Sequence, residues 1–110
     1  MKKLISIYTS LLLLSASVLA EDHAAAALER ANAALIHGKK GHTPILIEQA
    51  KEALDHALAA SLTAKGVSKN HLDAAVTELQ EAIDQCELGH VGVATKHAEA
   101  AVKHIKVSNK

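Results

Sequence analysis

From His23 onward, apolar side chains return at heptad spacing in four separate segments. The first seam is Ala24, Ala27, Ala31 and Ala34, and the second is Leu46, Ala50, Ala53 and Ala57. The third is Leu72, Ala75, Val76, Leu79, Ala82, Ile83 and Cys86, and the fourth is Val91, Ala94, Ala98, Ala101, Val102 and Ile105. Such spacing predicts four amphipathic helices, each with one buried stripe. Punctuation between them agrees. Gly38 and Gly41 end the first helix, and Thr43 reads as a cap ahead of Pro44 at the first position of the second. The second helix is expected to run to about Ala64 and to stop at Gly66. Asn70, with Asp73 three residues on, reads as the start of a third helix that ends near Glu87. Gly89 and Gly92 bracket the last turn, and a fourth helix follows over Val91–Val107, leaving 108–110 as a tail.

The pattern repeats. A shift of 48 residues lays His23 on His71, His42 on His90, His56 on His104 and Gly41 on Gly89. The same shift lays Leu28, Leu35, Ile45 and Leu54 on Val76, Ile83, Val93 and Val102. Each half is therefore expected to be one helical hairpin, and the chain to be all-α: an antiparallel up-down four-helix bundle built from a duplicated hairpin. A seam so rich in alanine lets backbones approach closely but buries little area per residue, which predicts modest stability without a ligand.

The first twenty residues follow another rule. Lys2 and Lys3 precede a mostly apolar run from Leu4 to Leu19, and Val18 and Ala20 stand three and one residues before acidic Glu21. This order predicts a secretory signal peptide over residues 1–20, cleaved to leave a single domain at 21–110 in the periplasm. An uncleaved anchor fits less well, because the run is short and carries Tyr8, Thr9, Ser10, Ser15 and Ser17. Glu21, not a cysteine, follows Ala20, so no lipid anchor and no membrane attachment are expected after cleavage. Without Lys2 and Lys3, ten basic side chains face twelve acidic ones, and the domain lacks Phe, Trp and Tyr. With neither a basic patch nor a stacking platform, nucleic acid is not an expected partner. Cys86 has no second cysteine to pair with, which leaves a small buried residue, an intermolecular disulfide or a soft metal ligand.

Candidate chemistry lies in the histidines. With the seam at heptad positions a, d and e, position g holds His23, Arg30 and His37, then His42, Gln49 and His56. In the second half it holds His71, Glu78 and Gln85, then His90, His97 and His104, so all eight histidines share one heptad position. Residues bordering a seam commonly do no more than cover its apolar edge. Eight histidines in register point instead to ligands. Seven residues rise about 10 Å, so His90, His97 and His104, each two turns from the next, cannot share one ion bound near 2 Å. Partners must come from the adjacent antiparallel helix. That brings His23 toward His56, His37 toward His42, His71 toward His104, His90 toward Gln85 and Cys86, and His97 opposite Glu78. Glu52 and Asp22 are carboxylates close enough along the chain to complete a site.

Two-point, partly open imidazole sites suit copper(II), nickel(II) and zinc(II), with copper(II) bound most tightly by intrinsic order. Magnesium and calcium would need clustered oxygens. No HExxH, CxxC or EF-hand spacing is present. An enzyme is not expected, since no nucleophile, base and orienting group fall at a working spacing. Haem attachment lacks CxxCH, and Glu52 to His56 is one residue too long for a di-iron Glu-x-x-His. The competing expectation is a periplasmic protein-binding module with pH-responsive histidines.

The segment Gly89-His90-Val91-Gly92-Val93-Ala94-Thr95-Lys96-His97-Ala98, continuing to His104, resembles the small metal-binding protein family of bacterial periplasms. His37-Gly38-Lys39-Lys40-Gly41-His42, and Gln49-Ala50-Lys51-Glu52 through His56, resemble the same family's first hairpin. The resemblance covers essentially the whole mature chain. It implies a monomeric four-helix bundle that binds several divalent metals, copper prominently, and buffers or carries them. Gln49, Glu78 and Gln85 stand where richer members hold histidine, which implies a reduced capacity.

Overall fold

The computed structural model describes residues 22–110, and the expected signal peptide lies outside them. Four helices follow in order: α1 (His23–Lys39), α2 (Thr43–Thr63), α3 (Gly66–Glu87) and α4 (Val91–Ser108). Among the described residues there is no strand. Each helix packs on its neighbours in sequence and α1 closes the ring against α4, while the α2–α4 diagonal barely touches. The chain is an all-α four-helix bundle.

Its core is the set of seams. Ala27, Ala31, Ala34, Ala50, Ala53, Ala57, Ala75, Ala82, Ala94, Ala98 and Ala101 are buried, and the largest fully buried side chains are Leu46, Leu72, Leu79 and Ile105. Alanine allows close contact between helices, and at one point even alanine is too large. A Cβ on Gly38 would lie 2.5 Å from Thr95 Oγ1 and 2.8 Å from Leu46 Cδ1, so glycine is what lets α1 settle against α4 and α2 here.

Two local expectations need correction. α2 ends at Thr63, Ala64 and Lys65 follow as extended residues, and α3 begins at Gly66, whose φ is +61°, so the glycine expected to stop α2 instead opens α3 and Asn70 lies inside it. The cap of α2 is His42 rather than Thr43, although Pro44 does stand in the first turn. Asp22 caps α1 through Oδ1, which accepts from Ala24 N–H at 2.9 Å.

Candidate metal sites at the hairpin edges

In each hairpin the position-g side chains meet as three rungs. The first hairpin pairs His23 with His56, Arg30 with Gln49 and His37 with His42, at sequence separations of 33, 19 and 5. The second pairs His71 with His104, Glu78 with His97 and Gln85 with His90, at the same three separations. Separation shrinks steadily toward the loop, as it must when two helices run in opposite directions from a turn. Because the α1–α2 and α3–α4 edges lie across the ring from one another, the two ladders occupy opposite sides of the bundle.

The loop rungs have a backbone cause. His42 N–H donates to His37 C=O at 2.9 Å and Gly41 N–H to Gly38 C=O at 3.0 Å, with Gly41 at φ +75°. His90 N–H to Gln85 C=O at 2.8 Å and Gly89 N–H to Cys86 C=O at 2.9 Å repeat it, with Gly89 at φ +85°. This is the Schellman ending of a helix, whose 6→1 bond sets residues five apart side by side. A hydrophobic contact usually fills that place. Here two imidazoles fill it in the first hairpin, and an imidazole and an amide in the second. His42 and His90 make no side-chain cap bond to their own helices, which leaves both rings free for the rung.

The pairs are close and similarly built. Nδ1 faces Nδ1 at 3.0 Å in His23–His56, 3.2 Å in His37–His42 and 3.0 Å in His71–His104. Ring centroids are 5.3, 5.5 and 5.3 Å apart, with interplanar angles of 32°, 34° and 36°. Two neutral rings satisfy this contact when one Nδ1–H donates to the other's bare Nδ1. A metal ion in place of that proton would sit to one side of the N···N line, with each ring turning its Nδ1 lone pair toward it. An ion about 2.0–2.1 Å from each nitrogen would close an N–metal–N angle of about 94° in the two 3.0 Å pairs and about 103° in the 3.2 Å pair. Those angles match adjacent positions of a square-planar or tetrahedral ion.

His97 and His90 differ. His97 Nδ1 lies 2.7 Å from Glu78 Oε2, with both side chains about 30% exposed, a nitrogen–oxygen rung that becomes an ion pair when the ring is protonated. Glu78 stands outside the set of eight candidate histidine ligands, although its register opposite His97 is legible in the sequence. His90 Nδ1 meets Gln85 Oε1 at 3.0 Å, on the exposed loop.

The carboxylates expected to complete these sites are engaged elsewhere. Asp22 caps α1, and Glu52 Oε2 sits 3.3 Å from Arg30 Nε as an ion pair. Among the described residues, no three His, Cys, Asp or Glu side chains gather around one point that could hold an ion. Cys86 does not join His90 through its side chain. The residue is 4% exposed within the core cluster, and burial, with a smaller contribution from the Glu87 charge, pushes its thiol pKa up. A thiol kept protonated is a poor metal ligand.

Among the described residues no helix is long and apolar enough to cross a membrane. No curated protein matches the chain. The family model for the small metal-binding protein matches residues 1–108, nearly the whole sequence. With its histidines paired along both hairpin edges of a four-helix bundle, the chain belongs to the small metal-binding protein family.

Proposed function

We propose that this protein binds divalent transition-metal ions in the periplasm, copper(II) foremost and nickel(II) and zinc(II) besides, and buffers or carries them without catalysing a reaction. Family membership supports metal binding in general. The observation that carries the finer proposal is the recurrence of one geometry, two Nδ1 atoms 3.0–3.2 Å apart, at His23–His56, His37–His42 and His71–His104. Three independent pairs with the bite of a single ion are hard to account for as a solvated helix edge alone. Imidazole nitrogen and a near-right-angle bite favour copper(II) over the tetrahedral preference of zinc(II). His97 with Glu78 adds a mixed site, and His90 with Gln85 a weaker one.

Two protein ligands per ion leave the remaining coordination positions to water. Such sites load and unload without refolding, which suits a carrier or buffer better than a closed structural centre. The ions are cargo. The signal peptide expected over residues 1–20 supports the compartment assignment, where a helical domain of this size meets metal arriving from outside.

The test removes one member of each pair. A variant carrying His23→Gln, His37→Gln and His71→Gln keeps five histidines but none of the three pairs, whereas His90→Gln with His97→Gln keeps every pair. Copper(II) titration by calorimetry should show tight uptake lost in the first variant and largely retained in the second. Equal uptake by both would defeat the proposal that pairs, rather than histidine number, hold the metal.

A further inference from the structure

Export, as proposed above, removes residues 1–20 by hydrolysis of the Ala20–Glu21 bond. Water supplies the hydroxyl of the new Ala20 carboxyl and a proton to the new amine of Glu21. The mature chain then begins Glu21-Asp22-His23, a free amine followed by a histidine in third place. Such an ending chelates by itself. The amine, the amide nitrogens of Asp22 and His23, and His23 Nδ1 close two five-membered rings and one six-membered ring in a single plane. We infer that the processed amino terminus is a further metal site, selective for copper(II) and nickel(II), which accept square-planar nitrogen ligands, over zinc(II), which does not. This rests on the proposed cleavage but not on the histidine pairs.

The residues next to the new terminus are free to take this role. His23 Nδ1, the nitrogen the ring closure requires, lies on the outer edge of the hairpin opposite His56 Nδ1 rather than in the core. The first backbone bond of α1 runs from Ala26 N–H to Asp22 C=O. The N–H groups of Asp22 and His23 precede it and have no acceptor among the described residues. Their ionisation therefore sacrifices no helical hydrogen bond. Binding sends two amide protons and the ammonium proton to solvent, with no change in the metal's oxidation state. One torsion must change. Asp22 stands at ψ 105°, whereas a five-membered ring through its own and the next nitrogen needs ψ near zero, so loading draws the Asp22 carboxylate off Ala24 N–H. Loading also takes His23 away from His56, so the chelate and that pair exclude one another.

The experiment uses the exported, processed protein, its first residue established by mass spectrometry, with one equivalent of nickel(II). Chelation gives a yellow, diamagnetic, low-spin complex with a visible circular-dichroism band, whereas imidazole pairs completed by water leave nickel(II) paramagnetic. The low-spin spectrum should persist in His56→Gln and vanish in His23→Gln. It should also vanish when one glycine is inserted between residues 20 and 21, which moves the histidine to fourth place while retaining every histidine pair. A paramagnetic first equivalent, a spectrum that survives the inserted glycine, or a processed chain that begins elsewhere than Glu21 would each overturn the inference. Copper(II) uptake at His37–His42 and His71–His104 is measured in the same glycine-inserted protein. Its loss would count against the pairs and not against the chelate.

Discussion

Changing His71 to Gln removes one imidazole pair while leaving the bundle nearly as it was. In the absence of metal the cost is small, because the same hairpin already contains a rung of this chemistry: Gln85 Oε1 meets His90 Nδ1 at 3.0 Å at the loop. The introduced amide can bridge to His104 in the same way, so the apo change is at most one net hydrogen bond, about 0.5–1.5 kcal/mol. With metal the loss is of another kind. An ion at ten times its dissociation constant stabilises the native state by about 1.4 kcal/mol, and at a hundred times by about 2.7 kcal/mol. For a domain of this length each kcal/mol moves the melting temperature by about 4–8 °C. Copper(II) at tenfold excess over the site's constant should therefore raise the melting temperature of His71→Gln by about 6–11 °C less than it raises that of the wild type. Scanning calorimetry of both proteins, each with and without copper(II), gives the four temperatures needed. Equal copper-induced increments in the two proteins would show that the His71–His104 pair holds no ion.

Other consequences follow from the same structure. Gln85→His should complete a fourth imidazole pair with His90 and add about one equivalent of copper(II) uptake, and an unchanged stoichiometry would mean that the loop geometry does not by itself make a site. Gly38→Ala should destabilise the bundle by about 1–3 kcal/mol through overpacking against Thr95 and Leu46, less up to about 1 kcal/mol from alanine's better helix propensity, read by urea unfolding. Asp73 accepts from Ser61 Oγ and pairs with Lys69 Nζ, and the Ser61 bond, followed by Lys69, holds its carboxyl below the usual range. Its ionised form therefore contributes stability above the ordinary carboxylate pKa, and that contribution fades as pH falls through the lowered folded-state value; Asp73→Asn should flatten the acid limb of a stability–pH curve. Cys86, buried with a raised pKa, should react with a thiol reagent only as fast as the native protein opens, a rate that urea increases.

Much of the fold was legible because two periodicities coincide. The seam fixed which face of each helix is buried, and heptad position g then fixed the rungs, since antiparallel partners from a tight turn meet at separations that depend only on the turn's length. That is why His23 with His56 and His71 with His104 could be paired from spacing alone. What escaped were features with more than one outlet for the same chemistry. α2 stops at Thr63, and Gly66 in the left-handed region opens the next helix after two extended residues, so a glycine read as a stop concealed the first turn of α3. Asp22 and Glu52 looked available as ligands, but a cap and the Arg30 guanidinium claim them, and nothing in their spacing distinguishes those uses from a metal site. Cys86 sits one residue from a rung position, and a rotation of about 100° per residue turns it inward among alanines and leucines.

The most direct test of the account is anomalous scattering at the copper edge from crystals of the copper(II)-loaded processed protein. Peaks are expected within about 2.0–2.1 Å of Nδ1 of both His71 and His104, and of both His37 and His42, with a further peak at His23. Well-occupied copper bound at carboxylates or at single histidines, with the paired Nδ1 atoms of His71 and His104 still hydrogen-bonded to each other, would contradict the claim that the hairpin edges are the metal sites.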